Sequence, residues 1–240
     1  MRMSAFWSAV ALSAGFATVS FGQITGSVTF QGKPPEMKEI VAIKQNADCA
    51  KQHKDPVYDD SVVVGDKGEL ANVVVRLTKG VNGQEIKGPV PSKPAVLDQK
   101  GCMYTPHVVP IMIGQQLDVK NSDAFMHNVH SLPFDNDPFN FAQPGVGEQK
   151  KGPFTKVENI QVKCDVHPWM KAWVVVLDNP YFAVTNEDGK YTIDTKGLAD
   201  GTYEIVAWQE KYQESKPQQV TIKGGKAEKA VDFKFESKTK

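Results

Sequence analysis

Short runs rich in β-branched and aromatic residues recur along the chain, some of them alternating apolar with polar positions as 24–30 does, and the spacing of an amphipathic helix is almost absent. Such runs occupy 24–30, 71–77, 116–121, 157–162, 172–177, 191–193, 203–208, 219–222 and 230–235. Side chains of a strand point alternately to its two faces, so each run offers one apolar face for burial. Gly and Pro punctuate the runs. The first meets Gly32-Lys33-Pro34-Pro35, and Asp188-Gly189 and Asp200-Gly201 are hairpin signals. So many short strands with turns between them predict an all-β sandwich or barrel. Only 36–52 could hold a helix of a few turns. Segment 133–152 sets Phe134, Phe139 and Phe141 among Asp, Asn, Pro and Gly, and reads as a long, ordered loop. No period of twenty to fifty residues repeats, which excludes solenoid architectures.

Residues 1–22 change the picture at the N-terminus. Met1-Arg2 leads into an apolar stretch that closes on Ser20-Phe21-Gly22, with small residues where a signal peptidase reads them. The segment is read as a signal peptide and the mature chain as exported, with the periplasm as its expected location. A retained anchor is the competing reading, weakened because the run is short for a membrane span and no basic residues stop it. No span is expected after signal removal. Lys plus Arg equals Asp plus Glu at 28 each, so the net charge is zero, and loss of Arg2 with the leader makes it minus one. Nothing in this balance points to nucleic acid, and Lys150-Lys151 reads as a solvated loop.

Candidate chemistry concentrates in Cys164-Asp165-Val166-His167-Pro168-Trp169-Met170, where a thiol, an imidazole and a thioether recur at steps of three. Pro168 and the β-branched Val174-Val175-Val176 that follows oppose a helix, so the segment reads as a tight loop entering a strand. The chain has three cysteines, Cys49, Cys102 and Cys164. Three pairings are open. A Cys49–Cys102 disulfide is favoured because only Cys164 has His and Met at close, regular spacing; two free buried thiols are the alternative. Upstream, His127 and His130 are three apart, so an extended segment sends them to opposite faces and offers one inward. One of them with Cys164, His167 and Met170 makes a His, His, Cys and Met set, the ligands of a mononuclear blue-copper site. Zinc is the rival metal, but Met is a poor zinc ligand. Met170 as a plain core residue and a Cys164–His127 hydrolytic dyad are weaker readings, the second because it leaves the loop spacing unexplained. His107 and His130 read as structural or surface histidines. Cys-x-x-Cys-His, needed for a c-type haem, is absent.

The loop from Cys164 to Met170 resembles the ligand loop of cupredoxins, with the Cys-x-x-His-x-x-Met spacing of amicyanin and its short-loop relatives. Met126-His127-Asn128-Val129-His130 is similar to the segment that carries the first histidine ligand in that family. The resemblance implies that His127, not His130, is the ligand. It also implies that Asn128 ties the two ligand-bearing loops together, and that Pro168 and Trp169 flank an exposed His167 on an electron-transfer surface. It covers roughly 115–177. Segment 181–208, with its Asp-Gly turn and Gly201-Thr202-Tyr203, resembles the carboxypeptidase regulatory-like, transthyretin-like module, and 26–34 resembles the first strand of that module.

The expected architecture is therefore an all-β, cupredoxin-like Greek-key sandwich over 36–180, with an additional small β-sandwich module formed by 23–35 and 181–240. The expected function is that of an exported type 1 copper protein, not an enzyme, that carries single electrons between redox protein partners. A copper storage or delivery protein is the alternative, and a structural protein without redox duty is a third reading.

Overall fold

A computed structural model describes residues 22–237; the expected signal peptide, Gly22 apart, lies outside them. The fold is all-β, and among the described residues helix is confined to Val41–Gln45, Ala47–Ala50 and a 3-10 turn at Val81–Gly83. Among the described residues no helix is long and apolar enough to cross a membrane.

Two sheets build the central sandwich. One orders the strands Met103–Thr105, Ala95–Lys100, Leu117–Asn121 and Gly147–Lys151. The other orders Val108–Met112, Lys171–Leu177, Glu158–Lys163, His127–Leu132 and Asn140–Gln143. Strands far apart in sequence lie side by side, as a Greek-key arrangement requires. Two of the pairings are parallel, Ala95–Lys100 with Leu117–Asn121 and Val108–Met112 with Lys171–Leu177. Alternation supplies the core: Leu97, Leu117 and Val119 from the first sheet meet Val129, Ile160 and Val174 from the second.

The chain ends form a second sandwich. Gln23–Gln31 pairs antiparallel with Lys190–Asp194 and parallel with Phe233–Glu236. Over it lies a sheet whose main path is Phe182–Val184, Val74–Lys79, Gly201–Gln209, Gln218–Lys223 and Lys226–Ala227. Here the expected boundary at residue 36 fails. Val74–Lys79 joins the terminal strands because Val75 and Leu77 bury their side chains with Val28, Ile205 and Phe233.

Two local expectations also change. Segment 133–152 is not a single loop: Asn140–Gln143 and Gly147–Lys151 are edge strands that pair with His127–Leu132 and Leu117–Asn121. Within 36–52, helix is limited to two short pieces separated by Asn46, whose side chain caps the second by accepting from Asp48 N and Cys49 N.

The two sandwiches meet at Val74 and Trp208 on one side and Val108, Val175 and Leu177 on the other. Trp173 and Trp208 pack edge to face there, with ring centroids 5.3 Å apart. Beside them His107 places Nε2 2.8 Å from Glu210 Oε2 and Nδ1 3.0 Å from Asp60 Oδ1, while Trp173 Nε1 donates to Glu210. Burial pushes the His107 imidazole down, but the two carboxylates of Asp60 and Glu210 beside it outweigh that and lift its pKa to about 9. Glu210 is held below the usual carboxylate range: burial raises it, and His107 more than offsets the rise.

Candidate metal centre

The strand His127–Leu132 alternates buried and exposed positions, and His127 is on the buried side while His130 faces outward. His130 Nδ1 lies 2.9 Å from Asp165 Oδ2, away from the core. Lys163 Nζ, 2.9 Å from the same carboxylate, and His130 hold Asp165 below the usual carboxylate range.

The segment from Cys164 to Met170 closes on itself. Met170 N donates to His167 O at 2.9 Å and Cys164 N donates to Met170 O at 3.2 Å. These bonds turn the chain back into the strand Lys171–Leu177, so Cys164, His167 and Met170 all point into the molecule. Their exposures are 1%, 3% and 0%, and that of His127 is 0%, so the cluster is shielded from bulk solvent.

Within the cluster, His127 Nδ1 faces His167 Nδ1 at 3.0 Å, and Cys164 Sγ lies 3.8 Å from the latter. One donor atom from each of His127, Cys164 and His167 falls within 4.8 Å of the others. Met170 is buried in the same apolar cluster as Cys164. Two imidazoles, a thiolate and a thioether suit copper in both oxidation states, so the donor set fits that ion.

The surrounding hydrogen bonds fix how the donors point. His127 Nε2 donates to Asp123 Oδ2 at 2.8 Å, which leaves the lone pair on Nδ1. Asp123 is itself anchored, because Oδ1 accepts from Gly101 N at 2.8 Å and Oδ2 from Cys102 N at 2.9 Å. Gly101 and Cys102 form a two-residue turn with φ of 62° and 56°, a conformation that aims both amides at one carboxylate. The Cys164 sulfur accepts from Asn128 N at 3.4 Å and His167 N at 3.3 Å, bonds that fix its position. The Asn128 side chain accepts from Asp165 N at 3.2 Å and donates to Asn140 Oδ1 at 2.7 Å, so it spans both ligand-bearing segments. Burial and the nearby His127 ring hold the His167 pKa below its ordinary value, with Asp123 opposing, and the neutral ring keeps a lone pair for a cation.

The expectation of an exposed His167 is corrected. Cys49 and Cys102 are joined, with Cα atoms 5.6 Å apart, and the disulfide pins the short helix Ala47–Ala50 beside the ring. Asn46 Nδ2 lies 3.4 Å from His167 Nε2, and Trp169 stacks at a tilt with centroids 5.1 Å apart. Trp169 Nε1 donates to Cys102 O at 3.0 Å, so the indole is half-buried packing, while Pro168 is exposed. Sequence reasoning missed Asn46 and Asp123. Asp123, four residues before His127, was within reach of it; Asn46 is 121 residues from His167 and was not.

No described protein family and no curated protein matches the chain. Solved structures show partial likeness. A Cu-containing nitrite reductase from Thermus scotoductus SA-01 is 20% identical over 42% of this chain, with a TM-score of 0.34, and the chain spans only 25% of that protein. A purple cupredoxin from Nitrosopumilus maritimus is 20% identical over 35% of this chain and 99% of its own, with a TM-score of 0.30. An oxidized point mutant of amicyanin is 18% identical over 43% of this chain and 98% of its own, with a TM-score of 0.33.

Proposed function

We propose that this chain is an exported copper protein of the cupredoxin type that carries single electrons, with His127, Cys164, His167 and Met170 as ligands. The observation that carries the reading is the convergence of the two Nδ1 atoms, 3.0 Å apart, with Cys164 Sγ 3.8 Å from one of them, in a buried pocket. A copper ion bound there supplies a one-electron Cu(II)/Cu(I) couple. The chain's own part is to hold the donors still. Asp123 fixes the His127 ring, the Asn128 and His167 amides fix the sulfur, and Asn128 joins the two segments. A pocket that does not rearrange between oxidation states favours fast transfer, and its burial keeps water off the donors.

A protein redox partner supplies or accepts the electron, and no catalytic group is assigned. The terminal sandwich is read as a transthyretin-like module that packs and stabilises. Cyclic voltammetry of the copper-loaded protein separates a carrier from a storage or delivery protein. A carrier gives a reversible one-electron wave, and an irreversible response on the same protein contradicts the assignment. Cys164→Ser abolishes the thiolate-to-copper colour while leaving the far-ultraviolet circular dichroism unchanged; a variant that keeps the colour overturns the ligand set.

A further inference from the structure

His167 faces two clusters. Its Nδ1 is turned to His127 and Cys164, and its Nε2 to Asn46, which caps the helical turn carrying Cys49. Beyond the Cys164 cluster, donor atoms of Cys49, Cys102 and His167 all lie within 4.8 Å of one another, and all three residues are buried. In the disulfide the two sulfurs are spent. A dithiol reductant delivers two electrons and two protons, breaks the sulfur–sulfur bond, forms two thiols and is itself oxidised to a disulfide.

From this geometry we infer that the reduced chain holds a second, Cu(I)-selective site made of Cys49, Cys102 and His167. Two thiolates favour the monovalent ion strongly, and each thiol releases its proton on coordination. Sharing His167 makes this site a neighbour of the Cys164 cluster, and an ion that moves between them keeps His167 while the two thiolates give way to His127, Cys164 and Met170. The inference goes beyond the electron-carrier reading and does not need it. The test therefore uses a chain that lacks the Cys164 thiolate, so that either idea can fail alone.

The experiment is an anaerobic Cu(I) titration of Cys164→Ser in competition with bicinchoninate. It is run on the disulfide form and on the form reduced with dithiothreitol and freed of reagent. Reduction is expected to add one equivalent of Cu(I) binding, with affinity raised at least about tenfold, because the new ligands are soft thiolates. His167→Ala in the same reduced background is expected to lose most of that gain. Equal affinity of the two redox forms overturns the inference. So does a gain that His167→Ala leaves intact, which would make the site an ordinary dithiol. Near-ultraviolet circular dichroism is recorded on the reduced form, and loss of its signal also overturns the inference, since the site needs the fold.

Discussion

The Asp123 carboxylate accepts from three donors at once, His127 Nε2 and the amides of Gly101 and Cys102. Its loss frees the His127 ring to turn and leaves buried N–H groups without a partner. Asp123→Ala is therefore expected to weaken copper binding by about 10- to 100-fold, the usual cost of removing a group that orients a metal ligand. Competition with a chelator of known affinity measures it, and an unchanged affinity would show that the ring is held by packing alone. The residues of the proposed site were legible because Cys164, His167 and Met170 fall within one loop and alternation separates His127 from His130. Their supports were legible only in part. Asn128 followed from the resemblance and Asp123 lies four residues before His127, whereas Asn46 meets His167 across 121 residues, which no local spacing marks.

At the scale of elements, legibility followed burial. Glu158–Lys163 buries Ile160 and Val162 on one face and was visible as alternation, and Lys171–Leu177, buried without a break from Val174 on, was visible as a continuous β-branched run. Gly147–Lys151 buries no side chain fully and carries Glu, Gln and Lys, so the same rule had nothing to detect. Stability should divide the same way. Ile160→Ala is expected to cost about 2–5 kcal/mol as a core truncation, whereas Gln149→Ala is expected to stay within about 0.5 kcal/mol. Urea unfolding compares the two, and equal losses would contradict the assigned core. The short helices near residues 41–50 bury little beyond Ile43 and Cys49, so the Cys49–Cys102 link adds to what holds them in place. Reduction of that bond is expected to lower stability by about 2–4 kcal/mol while the sandwich persists. An unchanged urea midpoint would mean that the segment is held by other contacts.

Across the whole molecule, the two sandwiches are joined by an apolar seam and by a buried imidazole between two carboxylates. The sequence marked the terminal strands as related, but placing Val74–Lys79 among them required a pairing with a strand more than a hundred residues away. His107 makes the joint dependent on pH. Its pKa is near 9 in the folded chain against about 6.5 when unfolded, so the folded state binds the extra proton. The added stability is complete below about pH 6.5 and is lost as pH rises through 9. Thermal melts are expected to show this fall, and His107→Gln is expected to flatten it; a variant with an unchanged slope would place the titration elsewhere.

The central claim, a buried copper site built on one thiolate, is tested most directly by optical titration of the purified mature chain with Cu(II) followed by ascorbate. One equivalent should raise an intense blue or green thiolate-to-copper band that ascorbate bleaches and an oxidant restores. Absence of the band, or only the faint colour of nitrogen and oxygen ligation, would contradict the account.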